Sequence, residues 1–246
     1  RNTKKTGILI LINDVTFQKQ LEKLRTDFVA NVSHELKTPI TSIIGYLELL
    51  NTKSEAKNEQ KSYIEKAFNQ TNRLNAIIDD LLKLSKIESQ EEDNTIELKS
   101  QKLKPILISV KDSIDNLIKK NKNTLSIECA ENITARVDFQ LLEEAILNLL
   151  ENSIKYGDKK SPITIMVKKD SNIHIHVENI GDPISKKYQN RIFQRFYRIE
   201  KSRNRSAGGT GLGLAIVKHI AIVHGGEVLV KSNENRKTRF TIILPD

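Results

Sequence analysis

The chain has 246 residues, 38% hydrophobic and 29% charged, with net charge +9, one cysteine and no tryptophan. That length holds one large or two modest domains, and a single cysteine excludes an internal disulfide framework. Sparse aromatics leave few stacking platforms for single-stranded nucleic acid, and no run approaches 18 apolar residues, so no membrane-spanning helix is expected.

The sequence starts at Arg1, with no initiating Met and no signal peptide, as expected of a fragment of something longer. Gly7 to Thr16 reads as a strand ending in a turn, and Gln18 to Thr26 begins a helix. A strand feeding such a helix resembles the tail of a PAS-type sensory domain; a truncated end is the alternative. From Phe28 to Leu50 the apolar residues Val29, Val32, Leu36, Ile40, Ile43, Leu47 and Leu50 recur at three and four, one stripe of an α-helix. His34 falls on the opposite, wet face, beside Glu35 and one turn before Thr38. Pro39 cannot bond the carbonyl of Glu35, so a bend is expected there. A lone surface histidine is usually unremarkable. Here a neighbouring carboxylate can fix one tautomer and accept a proton, leaving the other ring nitrogen to attack.

Asn51 to Glu59 is polar and reads as a loop. A second helix follows, with Ile64, Ala67, Thr71, Leu74, Ile78, Leu81 and Ser85 in register. Two long helices joined by a short loop make an antiparallel hairpin, which buries only part of each stripe. Pairing two hairpins into a four-helix bundle buries the rest, so a homodimer is expected. Gln90 to Asn94 is polar and acidic, and the domain boundary is placed there: 1–17, 18–90 and 91–246.

Beyond it the pattern is mixed α/β. Ile96 to Leu98 reads as a short strand, and Pro105 as the opening of a helix. Leu125 to Cys129 and Thr134 to Val137 read as strands, with Cys129 a small core residue. A helix spans about Phe139 to Tyr156. Ile163 to Val167 and Ile173 to Val177 are strands. After a long loop come a helix over about Leu212 to Val223 and strands at Glu227 to Lys231 and Thr238 to Leu244. Within that loop the basic charge is concentrated: eight lysines and arginines stand against Glu200 between Lys186 and Arg205. Such a cluster beside a glycine-rich turn suits nucleotide phosphates at least as well as a nucleic-acid backbone.

On the Phe139–Tyr156 helix, Glu144, Asn148, Asn152 and then Lys155 or Tyr156 form one polar stripe on an otherwise apolar surface. A buried amide without a partner costs about 1–3 kcal/mol, so the stripe has something polar to face. Amides and a lysine at this spacing suit Mg²⁺ and phosphate. Gly208 to Leu214, G-G-T-G-L-G-L, enters the next helix, whose N-terminus offers free N–H groups. Its spacing is neither a dinucleotide fingerprint nor a P-loop.

S-H-E-L-K-T-P, at His34, resembles the phospho-acceptor motif of sensor histidine kinases, and the later motifs resemble that family's nucleotide boxes in family order. By this resemblance Asn152 is a Mg²⁺ ligand, Asn148 supports the nucleotide, and Lys155 and Tyr156 contact phosphate and sugar or base. Gly209, Thr210, Gly211, Leu212 and Gly213 match the second glycine box. I-F-Q-R-F-Y-R, from Ile192 to Arg198, matches the box whose phenylalanines, here Phe193 and Phe196, anchor the nucleotide lid, with Arg198 reaching the γ-phosphate. The adenine-binding D-x-G-x-G-I is altered to N-I-G-D-P-I: Gly181 and Ile184 match, while Asn179 replaces the acid and Pro183 the second glycine. A neutral Asn carbonyl still accepts from an amino group, but more weakly than a carboxylate.

The resemblance implies a helical-hairpin four-helix bundle followed by an α/β two-layer sandwich of the Bergerat-type ATP-binding fold shared with gyrase and Hsp90-type ATPases. It implies ATP-dependent phosphorylation of His34 with Mg²⁺ as cofactor and Glu35 as base, then transfer to an aspartate of a response-regulator receiver domain. Thr38 would position water for dephosphorylating that regulator. A cytoplasmic fragment is implied, its parent anchored in the cell membrane only through segments outside it. Two other readings share the motifs: a non-catalytic nucleotide-binding scaffold, and a stand-alone gyrase-like ATPase with no use for His34.

Overall fold

The computed structural model describes residues 13–51, 57–93, 95–199 and 209–246. Most of the expected Gly7–Thr16 strand, the centre of the expected Asn51–Glu59 loop, Lys201, Arg203, Arg205 and Gly208 lie outside them. Asn13 to Val15 are not in a strand, and Thr16 already begins a helix.

Two helices of 36 residues each, α1 (Thr16–Asn51) and α2 (Lys57–Glu92), form the hairpin. The helices extend further than expected: Asn51 closes α1, and Lys57 to Glu59 open α2. α1 continues through Pro39, whose ring is buried. The apolar residues divide into two sets. Val32, Leu36, Ile43 and Leu50 of α1 are half-buried within the hairpin, as are Ala67, Leu74 and Leu81 of α2, while Ile77 and Leu84 are fully buried. Val29, Ile40, Ile44 and Leu47 of α1, with Ile64, Phe68, Ile78 and Leu82 of α2, stand 41–64% exposed. The single stripe expected on each helix is therefore two adjoining ones, one met within the chain and one facing outward.

The second domain is two layers. Its sheet has the order β2-β4-β5-β7-β6, built from β2 (Thr124–Glu128), β4 (Pro162–Lys169), β5 (Asn172–Ile180), β6 (Glu227–Ser232) and β7 (Lys237–Pro245). Only the β2–β4 pair is parallel. Alternation along β5 sends Ile173, Ile175 and Val177 inward, where α3 (Leu103–Asn121), α4 (Phe139–Tyr156) and α6 (Gly213–Val223) cover the sheet. A two-stranded ribbon pairs β1 (Lys99–Lys102) with β3 (Thr134–Val137). The strand expected at Ile96–Leu98 is absent; the chain there is irregular, and the ladder with β3 is made three residues later. α3 likewise starts two residues before Pro105, which remains within its first turn. A short helix, α5 (Lys186–Gln189), was not expected.

Asp138 caps α4 by accepting from the Leu141 N–H at 2.9 Å. The Asp138 N–H donates to Nε2 of His224, whose Nδ1 sits 2.7 Å from the Ile220 carbonyl. His224 is buried, which pushes its pKa down and suits this neutral, bridging role between α4 and α6. Leu84 and Ile87 of α2 belong to the same buried cluster as Leu103, Ile106, Leu149 and Ile216. The core of the second domain thus begins upstream of the Gln90–Asn94 boundary. Cys129 is half-buried at the margin of that core.

Candidate functional site

His34 is exposed on α1, as its position opposite the apolar stripe requires. Thr38 is exposed one turn on, its hydroxyl donating to the His34 carbonyl at 3.0 Å. The Glu35 carboxylate accepts from Arg73 of α2 at 3.1 Å, each side chain about one quarter exposed. Arg73 was not singled out by the sequence; only pairing of the two helices brings it to Glu35.

On α4 the polar stripe divides. Glu144 pairs with Lys83 of α2 at 2.7 Å and so belongs to the contact between the domains. Asn148 and Asn152 each use the amide N–H₂ to bond the carbonyl one turn back, at 3.0 Å. One donor of each amide is thus engaged by the helix, and the carbonyl oxygens are the ends that suit a hard cation or a donor. Lys155 is half-buried with its ammonium 5.3 Å from the centre of the Tyr156 ring. Burial, reinforced by the Arg198 guanidinium, lowers its pKa from 10.5 to about 8. Two cations held together against solvation suit a polyanion.

The glycine loop lies against these side chains. A Cβ on Gly213 would stand 2.6 Å from Asn148 Oδ1, and one on Gly209 only 2.2 Å from Lys155 Nζ. Gly211 has φ +75° and approaches the Phe196 backbone, where a Cβ would meet Cα at 2.9 Å. Phe196, itself at φ +62°, donates its N–H to the Gly211 carbonyl at 2.8 Å. The loop then enters α6, with Leu212 buried and its N–H donating to Thr210 Oγ1 at 3.1 Å. Loop, α4 amides, Lys155 and Arg198 therefore form one cradle whose donors and close backbone approach fit nucleotide phosphates.

The two phenylalanines differ in their surroundings. Phe193 is buried and meets Phe240 edge-on at 6.3 Å. Phe196 is half-buried at the margin of the core and also packs against Phe28 of α1 at 6.2 Å. Arg195 stacks over the same Phe28 ring at 4.9 Å and pairs with Glu88 of α2. Part of the basic cluster is thus spent on the hairpin.

At the far end of α4, Gly157 and Gly181 form an antiparallel bridge, with buried Asn179 beside both. A Cβ on Gly181 would stand 2.7 Å from the Tyr156 carbonyl, so the Asn179–Gly181 strand end adjoins the end of the cradle helix. Ile184 is tied to β6, its N–H donating to Ser232 Oγ at 2.9 Å. Asp80 was also missed: it accepts from the Thr210 hydroxyl at 2.6 Å, a contact across 130 residues that no local signal reveals. Among the described residues no group of three His, Cys, Asp or Glu is placed to hold a metal ion. Nor, among the described residues, is any helix long and apolar enough to cross a membrane.

Comparison with known proteins matches residues 24–90 to the family "His Kinase A (phospho-acceptor) domain" and residues 137–246 to "Histidine kinase-, DNA gyrase B-, and HSP90-like ATPase". The chain is 35% identical over 235 residues to the phosphate regulon sensor protein PhoR of Pseudomonas aeruginosa, covering 95% of this chain and 53% of that protein. It is 32% identical to the sensor histidine kinase WalK of Bacillus subtilis, covering 97% and 39%. The chain thus spans about half, or less, of these relatives' length. Among solved structures, histidine kinase ThkA in complex with response regulator protein TrrA superposes with TM-score 0.73 at 22% identity, over 94% of this chain and 64% of that one. Acinetobacter baumannii histidine kinase AdeS superposes with TM-score 0.64 at 23% identity, over 86% and 97%.

Proposed function

Because this chain belongs to the sensor histidine kinases, with a phospho-acceptor hairpin followed by an ATPase domain of the gyrase and Hsp90 type, we propose that it transfers the γ-phosphoryl group of ATP to His34. The observation that carries this reading is the phosphate cradle of Gly209–Gly213, Lys155 and Arg198 in the same chain as an exposed histidine flanked by a carboxylate and a hydroxyl.

Residues 18–90 serve as the dimerising stem and 91–246 as the catalytic domain, which shares the last turns of α2. Asn148, Asn152, Lys155 and Tyr156 hold the nucleotide, with Thr210, Leu212 and the three loop glycines around the phosphates. Asn179, Gly181 and Ile184 form the adenine end. The Asn152 carbonyl oxygen would hold Mg²⁺, which would supply charge neutralisation at the phosphates. Lys155 and Arg198 add to it and fix the terminal phosphate. One ring nitrogen of His34 forms the new P–N bond as the bond from phosphorus to the β,γ-bridging oxygen breaks and ADP leaves. Glu35 takes the proton from the other ring nitrogen, which requires its carboxylate to be shared with or released from Arg73. Such transfer asks mainly for positioning and charge stabilisation, and this cradle supplies both.

The outward stripe of Val29, Ile40, Ile44 and Leu47 with Ile64, Phe68, Ile78 and Leu82 fits a second copy of the chain in a four-helix bundle. The phosphoryl group then passes to a response-regulator aspartate, and Thr38 orients water when that group is removed. Incubation with γ-labelled ATP tests the reading. Acid-labile, base-stable label on the protein, abolished in His34→Gln, is expected. Phosphate release without label would make the chain a stand-alone ATPase, and neither label nor release would make it a scaffold.

A further inference from the structure

The Asp80 carboxylate touches the cradle from outside the catalytic domain. Its Oδ2 accepts from Thr210 Oγ1 at 2.6 Å, within the loop that approaches Lys155 and Asn148. Lys83, one turn along α2, is engaged with Glu144 at 2.7 Å and so offsets Asp80 only in part. Glu151 of α4, one turn before Lys155, adds a second carboxylate on the same side, its pKa pushed up by desolvation and then by the Asp80 charge. An anion pressed against an anion-binding loop is unfavourable company for a triphosphate.

Resting on the reading of Gly209–Gly213 as the phosphate loop, we infer that Asp80 is a built-in competitor of the nucleotide phosphates, a residue of the phospho-acceptor stem that sets the affinity of the catalytic domain for ATP. The geometry is specific to charge at the loop. Arg195–Glu88 and His219–Glu91, the latter at 2.9 Å, also join α2 to the second domain, but neither includes a loop residue. Removing the Asp80 charge therefore differs from loosening the contact between domains.

Calorimetric titration of the full chain with a non-hydrolysable ATP analogue, pyrophosphate and adenosine tests this, using wild type, Asp80→Asn, Asp80→Ala and Glu88→Gln. Asp80→Asn keeps an acceptor for Thr210 without the charge, and Asp80→Ala guards against a misplaced amide; thermal melts establish that each variant is folded. Both Asp80 variants should bind the analogue and pyrophosphate on the order of tenfold more tightly than wild type, with adenosine unchanged. Unchanged or weaker phosphate binding in both variants overturns the inference, as does equal tightening in Glu88→Gln, which would assign the effect to undocking. If wild type and variants alike bind neither analogue nor pyrophosphate, the phosphate-loop reading itself falls.

Discussion

Nucleotide binding should draw a proton onto Lys155. With its pKa lowered to about 8 by burial and Arg198, about one-tenth of the molecules carry neutral Lys155 at pH 7, half at pH 8 and nine-tenths at pH 9. Phosphate oxygens favour the ammonium form, so binding takes up about 0.1, 0.5 and 0.9 proton at those three values. Calorimetry of a non-hydrolysable ATP analogue in paired buffers of different ionisation enthalpy reads this number as the slope of heat against buffer enthalpy. Lys155→Met should abolish the uptake and bind more weakly. A slope of zero at pH 8 and 9 in wild type, or one that survives in Lys155→Met, refutes the reasoning. The sign for stability follows from the same shift. A lowered folded-state pKa contributes stability that is present above 10.5 and lost as pH falls through about 8, so nucleotide-free protein should gain from Lys155→Met at pH 7 and little at pH 10.5.

Asn179→Asp restores a charged acceptor at a buried position; calorimetry should find ATP bound about fivefold to tenfold more tightly, and unchanged or weaker binding would contradict the adenine-end assignment. Thr38→Ala should leave labelling of His34 within about twofold while slowing regulator dephosphorylation at least about tenfold, which labelled-regulator decay measures; equal loss of both would remove Thr38 from the water-positioning role. Phe68, 64% exposed on the outward stripe, should tolerate Glu in the monomer but not in a bundle core. Sedimentation velocity of Phe68→Glu should show a monomer, and an unaltered dimer would place the interface elsewhere.

Periodicity and special residues made much of this legible in advance. The three-and-four spacing set the hairpin, and alternation set β4, β5 and β7, because burial on one face forces both patterns. His34 and the glycine loop were readable because their chemistry resides in adjacent residues. Ile96 and Leu98 imitate a strand by alternation, yet the ladder forms at Lys99–Lys102, whose polar side chains give no such signal; pairing with β3 decides there. Arg73 at Glu35, Lys83 at Glu144 and Asp80 at Thr210 were not readable, since each depends on which face of α2 meets another element. The same docking sets Phe196, at the margin of the core, against Phe28 as well.

Leu84 and Ile87 sit in the hydrophobic interior of the catalytic domain while belonging to a helix that begins at Lys57. A rotation of the stem about its own axis would therefore turn two side chains of the ATP-binding half's own interior. Any attempt to express that half alone from residue 91 would also leave an oily socket where those two side chains belong, so a start upstream of Leu81 is the cut that keeps the interior whole.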